Sequence, residues 1–85
     1  MSDVYLSLVK TTEEYLGPAS ARFIDRQVSS HLQKEPVALE SSDIPKLVDW
    51  LKVSFGAMTG NRILVDEYVV KILKLSQGSQ STQTA

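Results

Sequence analysis

The sequence predicts an all-α fold: a compact four-helix domain with helices at about 3–16, 18–33, 43–58 and 62–75. Three observations lead there. Large apolar residues recur every three or four positions in four successive segments, the spacing that gathers them on one face of a helix. Gly17-Pro18, Pro36, Pro45 and Gly60 fall where those segments begin or end. The stretch richest in β-branched residues, 65–72, is broken by Asp66-Glu67, Lys71 and Lys74 at three- to four-residue intervals and not at every second residue, as a strand would require.

Helix one carries Val4, Tyr5, Leu8, Val9, Tyr15 and Leu16 on its inward stripe, opposite Ser7, Lys10, Thr11, Glu13 and Glu14, with Ser2 or Asp3 as its cap. Tyr15-Leu16-Gly17-Pro18-Ala19 then closes one helix and opens the next with no loop between them. Gly17 can take the left-handed conformation that ends a helix, and Pro18 suits a first helical position, where its missing N–H has no partner to lose. Helix two carries Ala21, Ile24, Val28 and Leu32 and runs out ahead of Pro36, whose predecessor is pushed to extended conformations. Residues 35–41 form the one real loop.

Helix three has Ser42 as its expected N-cap, Asp43 against the positive end of the dipole and Pro45 still in the first turn. Its core stripe is Ile44, Leu47, Val48, Leu51, Phe55 and Met58. Gly56 sits inside that pattern, so the helix ends there or continues to Gly60 as its C-terminal glycine. Asn61 caps helix four, in which Leu64, Val65, Tyr68, Ile72 and Leu75 repeat at helical spacing. From Ser76 to Ala85 there is no large apolar side chain, and a disordered polar tail is expected after a single domain over 1–75.

Composition narrows the function classes. A chain of 85 residues buries only roughly 60% of the surface its unfolded form exposes, so an apolar face left outside is a candidate for burial against another chain. Nine basic residues against ten acidic ones leave a net charge of −1, with no overall field to hold nucleic acid or an anionic membrane. Cysteine is absent and His31 is the one histidine, which removes disulfides, thiolate ligands and histidine-rich metal sites. The longest apolar run is three residues, as in Ile63-Leu64-Val65, and the N-terminus has no signal-peptide pattern, so a cytoplasmic protein without a membrane span is expected.

No catalytic, metal or cofactor constellation emerges. The pairs Glu13-Glu14 and Asp66-Glu67 are sequence neighbours pointing about 100° apart on a helix, too divergent for a shared proton or metal. His31 has no acid or nucleophile at helical spacing and is expected near a helix C-terminus. The segment from Gly56 to Asn61 lacks the lysine and preceding strand of a phosphate-binding loop. Ser41-Ser42-Asp43-Ile44 stands where acyl carrier proteins, which are also four-helix domains of this length, have an Asp-Ser-Leu motif, and that motif is missing.

Several large apolar residues lie off their own core stripes. Phe23 stands about 140° from the centre of the helix-two stripe. Trp50, Val53 and Ala57 form a second stripe on helix three, Ile63, Val70 and Leu73 do so on helix four, and Leu6 is the odd residue of helix one. Two such aromatics would each hide roughly 150 to 250 Å² if buried, and tryptophan is enriched at interface centres. Phe23, Trp50, Val53, Ile63, Val70 and Leu73 are therefore the expected partner-binding residues. Arg22 and Arg26, one turn apart, could grip an oxyanion.

Tyr15-Leu16-Gly17-Pro18-Ala19-Ser20-Ala21, followed by Phe23-Ile24-Asp25-Arg26, resembles the Leu-Gly-Pro signature of a small helical domain appended to bacterial serine/threonine kinases and response regulators. The resemblance spans Val4 to about Leu75, with Ser20 at a place where that pattern has an aliphatic residue. It implies a regulatory interaction module without catalysis, in prokaryotic signalling. The expected function is accordingly a noncatalytic helical protein–protein interaction module, self-associating as a homodimer or adaptor-like, with no cofactor. One alternative is a small-ligand binder with a cavity lined by Tyr5, Tyr15 and Tyr68. Another is a helix-turn-helix nucleic-acid binder made from helices one and two, with Arg22 and Arg26 on phosphates.

Overall fold

A computed structural model of the chain describes residues 3–76. The helices α1 (Asp3–Leu16), α2 (Ser20–His31), α3 (Ile44–Thr59) and α4 (Arg62–Leu75) follow one another, with 3-10 turns at Gly17–Ala19, Pro36–Ala38 and Ser41–Asp43. The described residues contain no strand, so the fold is all-α. Each helix packs against its neighbour in the chain, and α4 returns to pack on α1, closing a ring of helices around one core. Of the expected polar tail only Ser76 lies within the described residues, and Ser2 lies outside them.

Leu8, Ile24, Val28, Ile44, Leu47, Leu51, Phe55, Tyr68 and Ile72 have no exposed surface and form that core. Tyr15 lies edge-on to both Phe55 and Tyr68, each at 5.4 Å between ring centres. Aromatic pairs prefer this arrangement because a positive ring edge meets a negative face. In the same core the Thr12 hydroxyl donates to the Leu8 carbonyl at 2.8 Å and lies 2.7 Å from the Tyr68 hydroxyl. Leu39 joins the core from the connection between α2 and α3, with 2% of its surface exposed.

Two members of the expected stripes lie outside. Ala21 is exposed, and the inward face of α2 is instead Ser20, Ile24, Gln27 and Val28. Apolar periodicity missed this because two of the four inward positions are polar. Met58 is 56% exposed, in the last turn of α3. There it lines a groove together with Arg22, Phe23 and Arg26 of α2.

Gly17 has φ +64, the left-handed conformation expected of it. The expected start of the second helix at Pro18 is corrected by two residues: Gly17, Pro18 and Ala19 make a tighter 3-10 turn, and the α register begins at Ser20. α2 ends at His31, earlier than expected, and Gln33 carries the left-handed conformation beyond it, with φ +53. α3 passes through Gly56 and ends against Gly60, whose φ is +63 and whose N–H reaches the Gly56 carbonyl at 2.9 Å. Asn61 caps α4 as expected, its Oδ1 accepting the N–H groups of Ile63 and Leu64 at 3.0 and 3.2 Å.

Ser42 is not the cap of α3. It lies in the 3-10 turn Ser41–Asp43, and the buried Asp43 occupies the cap position. Its Oδ2 accepts the Glu40 N–H at 2.9 Å and the Lys34 ammonium at 2.8 Å, pinning the connection across the start of α3. Burial pushes the Asp43 carboxyl up, but the hydrogen bonds from Lys34 and Glu40 and the charges of Lys34 and Lys46 outweigh it and hold the group below its ordinary range.

Candidate functional site

α2 and α3 run antiparallel, and three pairs mark their seam. His31 stacks flat on Trp50, with ring centres 4.0 Å apart and planes 4° from parallel. One turn along, Gln27 Nε2 donates to Ser54 Oγ at 3.2 Å. A further turn along, Phe23 and Met58 line the same groove. All three pairs follow from one register, because each four-residue step back along α2 is matched by a four-residue step forward along α3.

The seam opens into a groove of about 440 Å³. Phe23, Ala57 and Met58 give it an apolar lining, Gln27 and Ser54 form its polar back, and Arg22 and Arg26 stand along its α2 side. The Gln27 Oε1 is buried with no hydrogen-bond partner among the described residues. Arg22 and Arg26 are exposed and take no part in the two ion pairs among the described residues, Lys34–Asp43 and Lys71–Glu14. Asp25, between them in sequence, is engaged elsewhere: its Oδ1 accepts the Tyr5 hydroxyl at 2.6 Å. Two guanidinium groups one turn apart, beside an apolar floor, suit a carboxylate carried on an apolar segment.

A second surface runs along α3 and α4. Val53 is 69% exposed, Ile63 72% and Val70 52%. Ile63, Asp66, Val70 and Leu73 share one outward face of α4 by helical spacing. Between the two helices a groove of about 690 Å³ has Val53, Gly56 and Val65 along it and Asp49, Lys52, Arg62 and Asp66 at its edges.

The expected partner-binding residues thus divide between two surfaces. Phe23 and Trp50 belong to the α2–α3 seam, where Phe23 is also partly buried against the core. Val53, Ile63, Val70 and Leu73 belong to the α3–α4 side, and Leu6 is exposed separately on α1. The stack of His31 on Trp50 was beyond the sequence, since it depends on the register of two helices separated by a loop; so was Met58 as a lining residue.

The tyrosines do not surround a cavity. The Tyr68 hydroxyl is paired with Thr12 inside the core, and burial pushes its pKa up to about 12. The Tyr5 pKa is also pushed up to about 12, first by its hydrogen bond to Asp25 and then by burial and the Asp25 charge. The Tyr15 hydroxyl reaches Glu67 Oε1 at 3.3 Å, while its ring packs on Phe55 and Tyr68. The pocket expected from these residues is corrected on that ground: their hydroxyls hold helices together and line neither groove.

Among the described residues no three carboxylate or imidazole groups converge to hold a metal ion, and no helix is long and apolar enough to cross a membrane. No protein-family model, curated protein or solved structure matches this chain. The Leu-Gly-Pro resemblance therefore rests on the corner residues alone.

Proposed function

We propose that this protein is a noncatalytic helical interaction module that binds protein through the α2–α3 groove and the outer face of α4. One observation carries the proposal: large apolar side chains stay exposed beside arginines that have no ion-pair partner among the described residues. A domain with so little core gains from covering them. Together with the Leu-Gly-Pro corner, this supports an adaptor or self-associating role in prokaryotic signalling or regulation.

The test is site-specific photo-crosslinking of the full chain in its host. A photoreactive residue at Ala57 in the groove, or at Val70 on α4, should give discrete protein adducts, while one at the exposed Lys10 of α1 should not. Absence of protein adducts at both Ala57 and Val70 would remove the proposal.

A further inference from the structure

We infer that the two surfaces are the two halves of one contact between copies of this chain: the Ile63–Asp66–Val70–Leu73 face of α4 in one copy seats in the α2–α3 groove of another, with Asp66 on Arg22 and Arg26. The inference rests on the interaction-module reading and assigns its partner.

The fit has three parts. In length, the α4 face from Ile63 to Leu73 rises ten residue steps, about 15 Å at 1.5 Å per step, and the seam from Phe23 to His31 rises eight, about 12 Å. In pattern, the face presents apolar anchors at the first, eighth and eleventh positions with a carboxylate at the fourth, the spacing by which an amphipathic helix engages an apolar groove. In charge, Asp66 makes no ion pair among the described residues, just as Arg22 and Arg26 make none. Of the neighbouring charges on α4, Glu67 meets the Tyr15 hydroxyl and Lys71 pairs with Glu14 at 2.7 Å, while Lys74 makes no ion pair among the described residues. Arg62 and Lys52 share the α3–α4 groove with Asp66 without an ion pair to it.

Within one chain the two halves are kept apart. α4 packs on α3 and α1, and α2 packs on α1 and α3. The α4 face therefore meets the groove of a second copy. The contact joins two different surfaces, so each copy retains one unused half unless the copies pair reciprocally or close a ring. Three apolar anchors and one carboxylate make a small interface, which places the association at the weak end of specific contacts and makes it salt-sensitive.

Sedimentation velocity of the full chain, from low to high micromolar concentration, reads this directly. The wild type should associate with rising concentration, and less so at high salt. Arg22→Glu/Arg26→Glu, which disables the groove, and Val70→Glu, which disables the α4 face, should each weaken self-association roughly tenfold or more. Circular dichroism melts should show both variants folded, because every changed residue is exposed. Mixed together, the two variants should form a one-to-one complex, since each supplies the half the other lacks. A wild type that stays monomeric throughout would overturn the inference, as would variants that associate normally or a mixture that does not associate. Crosslinking at Ala57 to a different protein, with the chain monomeric, would overturn this inference and leave the interaction-module reading standing.

Discussion

The hydroxyl pair at the centre of the core yields a test of the fold that is independent of any partner. Thr12 and Tyr68 are both fully buried. A threonine hydroxyl has one proton, and Thr12 gives it to the Leu8 carbonyl at 2.8 Å, so across the 2.7 Å contact Tyr68 must be the donor and Thr12 the acceptor. Removing the two ends therefore has unequal effects. Tyr68→Phe deletes a donor and leaves Thr12 bonded to Leu8, costing a net hydrogen bond of about 1 kcal/mol. Thr12→Val keeps the volume but leaves the Tyr68 hydroxyl orphaned in a dry core, costing about 1 to 3 kcal/mol.

The double variant has no orphan. Its cost should fall back to about 1 kcal/mol, well short of the sum of the singles, because the penalty of Thr12→Val vanishes once Tyr68 has no hydroxyl. At about 4 to 8 °C per kcal/mol for a domain of this size, thermal melts by circular dichroism resolve the difference. Thr12→Val should melt lowest of the three variants. Additive losses, or a double variant less stable than Thr12→Val, would refute the donor assignment.

Alanine substitution at the glycines should change sign along the chain. Gly17→Ala, at φ +64, forces a side chain into left-handed backbone and should cost about 1 to 2 kcal/mol, although its Cβ would meet nothing within 4 Å. Gly56→Ala, inside α3 with its Cβ at an ordinary 3.5 Å from Val65, should raise stability by up to about 1 kcal/mol, and melting temperatures check both. Asp43, held below its ordinary pKa in the fold, contributes stability that is present above the unfolded value and lost as pH falls through the folded one. Urea unfolding of the wild type should accordingly weaken below about pH 4, and Asp43→Asn should be less stable at neutral pH with a flatter acid limb. At the alkaline end Tyr68 is raised to about 12, so stability should hold up to the ordinary tyrosine value of 10.0 and fall as pH climbs toward 12, with Tyr68→Phe falling less.

What was legible in the sequence is what side-chain type decides locally. Gly17 and Gly60 adopt left-handed backbone because they lack a Cβ, and Asn61 caps α4 because its amide oxygen reaches the first free N–H groups. Gln33 does the same backbone task as those glycines without their chemistry, and no residue type marked it. Leu39 was read as loop, since burying one leucine from an irregular segment depends on where α2 and α3 leave a gap. Phe23 and Trp50 were legible as misfits to their stripes. That Trp50 has one face covered by His31 was not, because it follows from the antiparallel register.

The helix whose inward face was hardest to read, α2, also forms one wall of the α2–α3 groove, and its buried polar residues bear on both facts. α2 buries Ser20 and Gln27 alongside Ile24 and Val28, whereas the buried residues of α3 are all apolar. The Ser20 hydroxyl and Gln27 Oε1 have no hydrogen-bond partner among the described residues, and each such group carries a desolvation cost of about 1 to 3 kcal/mol. The α2 seam is thus held less firmly than the rest of the ring, and one of the two grooves opens along it. The two polar residues differ in placement: Gln27 lines the groove and Ser20 does not. Ser20→Ala deletes a fully buried, unpartnered hydroxyl at the start of α2 and improves helix propensity, so it should raise stability by about 1 kcal/mol. Because the Ser20 side chain is fully buried and does not itself line the groove, the same variant should leave self-association unchanged in sedimentation. A Ser20→Ala protein that melts below the wild type would show that the hydroxyl is satisfied in solution, and that α2 is held as firmly as its neighbours.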